Sequence, residues 1–275
     1  MSNIVDIINY KCYLTKMSKT FFDKAWFVSH LPEDICTIVD VGCADGSFME
    51  FLKRSGLDFE YIGIDNNPEM QRLTKEKGFT CYSSIKEFKE SGCLFEENMC
   101  VVLNSVVHEL YSYFNESVLS DIYALHPKYI AIRDMMYNPI DRTRFYLPVD
   151  DYEKIINVFK EKYPEQFEQF YKFHHHQNYE KQIAHFLLKY MYKENWDREV
   201  KEDYLSYDIN QIRRTFCENC IFPDSIYHIE FQTFYKLPYL VNKWKQDFEL
   251  NKNPELNEFI RNINTHYKML LKCKD

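Results

Sequence analysis

The stretch Thr37-Ile-Val-Asp-Val-Gly-Cys-Ala-Asp-Gly-Ser-Phe48 constrains the fold more than any other part of the chain. A short apolar strand, Ile38 to Val41, runs into a glycine-bearing turn. A helical pattern follows from about Ser47 to Ser55 and is closed by Gly56. Such a turn lets backbone approach a ligand where a side chain would collide. The chain holds 6 glycines, all between Gly42 and Gly92, and 2 of them sit in this one turn. A chain so poor in glycine places it where backbone geometry demands it.

A second buried strand, Tyr61-Ile-Gly-Ile-Asp65, ends in an acid at the spacing expected after such a turn. In sheets that bind nucleosides, a carboxylate there accepts hydrogen bonds from ribose hydroxyls. Asn66-Asn67-Pro68-Glu69 reads as a helix start, with asparagine as cap and proline in the first turn.

Asp40-Val-Gly-Cys-Ala-Asp-Gly46, with small residues at Gly42, Ala44 and Gly46, resembles the first motif of class I S-adenosylmethionine-dependent methyltransferases. Ala44 stands where many members carry glycine, and Asp65 resembles the acid after the family's second strand. The resemblance covers roughly residues 37–133. It implies a Rossmann-like, doubly wound, mostly parallel sheet of the seven-stranded type and S-adenosyl-L-methionine as cofactor. Its implied contacts are Asp40, Gly42, Cys43, Ala44, Asp45, Gly46, Asp65, Asn66 and Asn104. A dinucleotide site would instead want Gly-x-Gly-x-x-Gly. Here the spacing is Gly42-x-x-x-Gly46, and Asp45 would repel a pyrophosphate. The ammonium and sulfonium of S-adenosylmethionine both favour nearby carboxylates.

Strand and helix patterns alternate through Phe79–Tyr82, Met99–Leu103 and Tyr129–Arg133, which argues for right-handed crossovers and a parallel sheet. The carboxyl ends of these strands should converge on one cleft. The third strand is followed by Ser83 and Ser84, not by the acid that the family often places near adenine. Residues 3–29 have a helical pattern, and the resemblance implies leading helices over the cofactor mouth. From about Asp150 to Asp224 helical, aromatic-rich patterns replace the alternation. The organisation expected is therefore N-terminal helices and a cofactor-binding core over 1–149, a helical insertion or lid over 150–225, and completing elements over 226–275. In the last segment, Ile226–Tyr235 alternates as a strand, a helix runs from Pro238 toward Ile263, and Thr265–Cys273 is expected as an edge strand.

Residues after the fourth and fifth strands carry the expected chemistry of the acceptor. His108 and Glu109 lie on a helix starting near Ser105, where a histidine can take a proton near neutral pH. Helix packing and the helix dipole are the alternative roles for the pair. Asp134 offers a proton-accepting carboxylate and Arg133 a substrate anchor, or the two close the sheet end as an ion pair. The position after the fourth strand, Asn104-Ser105-Val106-Val107, lacks the Asp/Asn-Pro-Pro-Tyr that enzymes methylating exocyclic base amines resemble one another in, and Asn138-Pro139 comes too late. No metal is expected. Adjacent residues of His174-His175-His176 point about 100° apart on a helix, and Cys217-Glu-Asn-Cys220 has no second pair.

Net charge is −8, and residues 226–275, the only basic segment, carry 8 basic and 6 acidic side chains. That balance disfavours duplex DNA. The 9 cysteines, odd in number and scattered, read as free thiols of a cytoplasmic protein. No apolar run is long enough to span a membrane and no signal-peptide pattern opens the chain. The expectation is an S-adenosylmethionine-dependent methyltransferase acting on a small-molecule acceptor. An RNA methyltransferase and a non-catalytic S-adenosylmethionine-binding protein are the alternatives. The aromatics of the insertion could enclose an apolar or cationic acceptor, stack an unpaired base, or form ordinary helix core.

Overall fold

The structure, a computed structural model, describes residues 20–92, 98–113, 117–138, 146–217 and 227–274. The helical pattern of residues 3–19, Pro139, Cys220 and Ile226 lie outside them. A seven-stranded sheet has the order β3-β2-β1-β4-β5-β7-β6. The strands are β1 (Thr37–Val41), β2 (Glu60–Ile64), β3 (Thr80–Tyr82), β4 (Met99–Asn104), β5 (Tyr129–Asn138), β6 (Tyr227–Tyr235) and β7 (Asn264–Cys273). The first five pair in parallel. The chain thus has the doubly wound, Rossmann-like α/β fold expected of it. Every residue of β1 and β4 is buried, as strands covered on both faces require. The strand order reverses at β1, between β2 and β4, which opens a crevice at the carboxyl ends there.

One expectation about the sheet is corrected. The last strand is not at the edge: it lies between β5 and β6. The Cys273 N–H donates to the Lys128 carbonyl (2.9 Å), so the end of β7 meets the start of β5 and the two run antiparallel. Burial explains the placement. In β7 six of ten residues are buried, whereas β6 is buried only at Tyr227 and is exposed or half-buried beyond it. An edge strand needs the polar alternation, an interior strand the apolar run.

A second correction concerns the helix expected from Pro238 toward Ile263. It is two helices, Pro238–Asp247 and Pro254–Asn262. Glu249 takes a left-handed φ of 45° in the break, and Pro254 cannot donate the hydrogen bond that would continue the first helix.

Two compact units divide the chain. One comprises the described residues within 1–134, 210–232 and 268–275, the other those within 135–209 and 233–267. In the first, Ile38, Cys100, Val102 and Ala131 on one sheet face pack with Phe27, Phe48, Met49 and Leu52. The helix Phe21–Lys24 (α1) leads into a 3₁₀ turn, Ala25–His30. Thr20, Lys24 and Phe27 form its buried stripe at the spacing of a helix face.

The second unit is helical, built from Val149–Lys162, Pro164–His174, Tyr179–Lys189 and the two helices after Pro238. Most of its aromatics are ordinary core. Phe186 packs against Phe159, Phe167 and Phe170, and Phe248 packs against Phe159, with ring centroids 4.8–5.4 Å apart. The Trp244 indole N–H reaches the Leu187 carbonyl at 2.9 Å. Among the described residues no helix is long and apolar enough to cross a membrane.

Candidate functional site

The turn after β1 is built from three left-handed residues at alternate positions: Gly42 (φ 73°), Ala44 (φ 49°) and Gly46 (φ 74°). Alternation folds the backbone back on itself and turns successive N–H groups to one side. At both outer positions a side chain would also collide with the protein itself. A Cβ at Gly42 would stand 2.8 Å from Val106 Cγ2, and one at Gly46 would stand 3.1 Å from Thr74. The turn is therefore packed from behind by protein, which fixes its shape. The Thr74 hydroxyl also donates to the Ala44 carbonyl (2.8 Å). Cys43 turns its sulfur inward, where a Cβ on Gly63 would meet it at 2.6 Å.

Gly42→Ala is accordingly expected to cost stability, on the order of 1–3 kcal/mol from strain plus overpacking. Trimming the neighbour in Gly42→Ala/Val106→Ala should return part of it. Equal denaturation midpoints for the single and double variants would show that Val106 is not the obstacle.

Asp65, one residue beyond β2, ties the turn to the next helix. Its Oδ2 accepts from the Ala44 N–H (2.9 Å) and its Oδ1 from the Asn67 N–H (2.9 Å). Burial raises the pKa of this carboxyl, and the two backbone donors act against that rise. Asn67 caps the helix Pro68–Glu76 by accepting from the Glu69 N–H (2.9 Å). Asn66, between them, is exposed.

Asp45 is occupied locally. It accepts from the Ser47 N–H (3.1 Å) and hydroxyl (2.8 Å) and pairs with Lys77 at 2.6 Å. Its charge is thus already met within the protein. Ser84, after β3, caps the helix Ile85–Glu90 by accepting from the Glu87 N–H (3.1 Å), while Glu87 Oε2 accepts from the Ser83 N–H (2.6 Å).

Behind the turn, Asp40 is 3% exposed. Burial pushes its carboxyl up to about 7, opposed by the charge of Lys24 and assisted by that of Asp65. Lys24 is the residue that sequence reasoning missed. Burial, with the guanidinium of Arg133 nearby, brings its ammonium down to about 8, while Asp40, Asp134 and Asp23 act the other way. A charged residue on the buried stripe with Thr20 and Phe27 was the legible signal.

Asn104 ends β4 beside Arg133 of β5. Arg133 donates to Asp23 (2.9 Å) and to the Ser105 hydroxyl (2.7 Å). Ser105 adopts a left-handed φ of 60° just before the helix Val107–Tyr113 (α5). In the first turn of α5, His108 is held twice by the fully buried Asp134. Its backbone N–H reaches Oδ2 at 3.0 Å, and Nδ1 lies 2.8 Å from Oδ1. A carboxylate at Nδ1 fixes the proton there and leaves Nε2 as the basic nitrogen. Glu109, next on α5, is half-buried.

In the second unit, His174 is buried whereas His175 and His176 are exposed. His174 Nε2 lies 2.8 Å from the Val200 carbonyl, and its ring stands 4.3 Å from that of His185. The described cysteines, Cys217 among them, are free thiols.

No family model matches the chain. Over 66 residues, 24% of the chain, it is 32% identical to carboxy-S-adenosyl-L-methionine synthase of Campylobacter jejuni subsp. doylei. Over a stretch of the same length it is 30% identical to the enzyme of that name from Campylobacter jejuni subsp. jejuni serotype O:23/36. The match spans 28% of those relatives' own length. Similar solved structures include a SAM-dependent methyltransferase from Archaeoglobus fulgidus, at 17% identity over 94% of this chain and 99% of that one, with a TM-score of 0.47. A second is the plantazolicin methyltransferase BamL bound to a desmethyl analogue and SAH, at 10% identity, 94% and 84% coverage, and a TM-score of 0.46. The fold assignment rests on this chain's own strand order and register.

Proposed function

We propose that the chain is an S-adenosyl-L-methionine-dependent methyltransferase acting on a small molecule. The observation that carries the reading is the bond from the Ala44 N–H to Asp65. It joins the left-handed turn and the acid after β2 at the strand ends where a doubly wound sheet binds ligands. In this reading Asp65 accepts from the ribose hydroxyls, and the backbone of Gly42, Cys43, Ala44 and Gly46 lies along the donor, with Asn66 and Asn104 beside it. Asp45 acts through the shape of the turn, since Lys77 and Ser47 hold its carboxylate.

The bound donor supplies a methyl group on a sulfonium, and the protein's work is to orient the acceptor in line and to take its proton. His108 is the proposed base. Asp134 orients the ring and stabilises the imidazolium formed when Nε2 takes the proton, and Glu109 lies on the same helix to position the acceptor. The net acidity of the chain favours a small acceptor over RNA.

Calorimetry with S-adenosylhomocysteine tests the donor site, and transfer from radiolabelled donor to a panel of small molecules and RNA tests the acceptor. Label found only in RNA would overturn the small-molecule part. His108→Ala is expected to slow transfer by about 10²–10⁴ with donor affinity unchanged. Asp134→Asn should slow it through a wrongly oriented ring. Unchanged rates in a folded His108→Ala protein would return the pair to a structural role.

A further inference from the structure

Of the 6 glycines, Gly63 alone lacks a left-handed φ. It lies inside β2, where a glycine weakens the strand and marks a close approach. What approaches is a sulfur, since a Cβ on Gly63 would stand 2.6 Å from Cys43 Sγ. Gly63 is level with Cys81 of β3. Side chains match across parallel pairs, so Cys81 projects from the face that the Cys43 sulfur covers. The two sulfurs meet over the glycine at 3.9 Å, and both cysteines are buried free thiols.

Asp65 is bonded to the residue that follows each cysteine. Its carboxylate accepts from the Ala44 N–H at 2.9 Å, and its own N–H donates to the Tyr82 carbonyl at 3.0 Å. A disulfide holds its sulfurs at about 2 Å. Joining Cys43 to Cys81 therefore draws the sulfurs together by about 2 Å and shifts both neighbours that hold Asp65. The Cys43 N–H is meanwhile tied to the Ile64 carbonyl at 3.2 Å, so the turn cannot follow its sulfur freely.

We propose that Cys43 and Cys81 form a redox switch: a peroxide joins them in a disulfide, which pulls Ala44 and Tyr82 away from Asp65 and lowers donor affinity. The proposal rests on the methyl-donor reading above. The Cys81 sulfur attacks one oxygen of hydrogen peroxide, the O–O bond breaks, and a sulfenic acid and one water result. The Cys43 sulfur then attacks the Cys81 sulfur, the S–O bond breaks, and a second water leaves. Together the two thiols give up two electrons and two protons, and the peroxide becomes two waters. With Cys43 as donor, the S–H bond to Cys81 holds the Cys81 thiol below its ordinary value; burial opposes this and the Lys75 ammonium assists it. Cys81 is thus the thiol that reacts first. β3 is three residues long and stands at the edge of the sheet, so its local opening costs little and admits the peroxide.

The test treats the full chain with hydrogen peroxide, maps its peptides by mass, and measures S-adenosylhomocysteine binding by calorimetry before oxidation, after it, and after dithiothreitol. A bridge between the peptides holding Cys43 and Cys81 is expected. Binding should weaken by at least about tenfold, as the loss of one charge-assisted hydrogen bond warrants, and recover on reduction. Cys81→Ser should bind as the reduced intact protein does and ignore peroxide. No bridge between these two cysteines, a bridge without loss of affinity, or the same loss in Cys81→Ser overturns the switch while leaving the donor site standing. Failure of the reduced protein to bind S-adenosylhomocysteine overturns both. Should Cys81→Ser not fold, Cys81→Ala carries the control with the same expected and overturning results.

Discussion

Asp65→Ala is expected to weaken S-adenosylhomocysteine binding by about a hundredfold or more, at about 1.4 kcal/mol per factor of ten. Two losses add. The carboxylate proposed to accept from the ribose hydroxyls is gone, and charge-assisted bonds of that kind contribute about 1.5–3 kcal/mol each. The Ala44 and Asn67 N–H groups also lose their acceptor, so the turn keeps its bonds from the Gly42 and Cys43 N–H groups to the Ile64 carbonyl but loses its tie to the residue after β2. Asp65→Asn separates the terms only in part. Both carboxylate oxygens accept from backbone donors, whereas an amide has a single acceptor oxygen, so one N–H must face an NH₂ in either orientation. The asparagine variant should therefore bind almost as poorly and melt lower. Wild-type affinity in both variants would remove Asp65 from the site and the proposed function with it.

The helical unit is expected to lose stability steeply between about pH 6.5 and pH 4. Burial brings His174 down to about 4, aided by the nearby Lys189 ammonium and by His176, and opposed by its bond to Val200 and by Asp203. His185 is depressed well below the ordinary histidine value, again by burial first, with Lys189, His174 and Lys181 adding to the effect. Its two nitrogens are both used in the neutral form. Nδ1 lies 3.2 Å from Gln177 Oε1 as donor, and Nε2 accepts from the Tyr204 N–H at 3.2 Å.

The sign follows from these directions. Below about pH 6.5 the unfolded chain takes up protons that the folded chain refuses, so stability falls as pH falls until the folded histidines titrate. For His174 alone the loss approaches about 3 kcal/mol at the bottom of that window, and His185 adds to it. Urea denaturation at pH 7.5 and pH 5 measures the difference, and His174→Gln should flatten it. Coincident curves at the two pH values would show that these rings are protonated inside the fold.

Much of the turn after β1 and of the start of the helix after β2 was legible because its signals are local. A strand, a left-handed turn and a following helix are fixed by neighbours in sequence, so Gly42, Gly46, Asp65 and the Asn67 cap could be read in order. The alternation of β6 was equally legible, but its meaning as the edge was not, because edge or interior depends on which strand packs alongside. Nothing local marked Lys77 as the partner of Asp45 or Val106 as the wall behind Gly42; these are meetings of residues 32 and 64 positions apart.

The amino-acid order by itself determined a doubly wound sheet and a glycine turn followed by an acid, since hydrophobic period and left-handed backbone are short-range properties. Tertiary structure alone decided that Asp45 is neutralised by Lys77, that Asp134 holds the His108 ring, and that Lys24 is buried near Asp40. Burial and charge pairing depend on what surrounds a group in space, and no sequence window contains that surrounding.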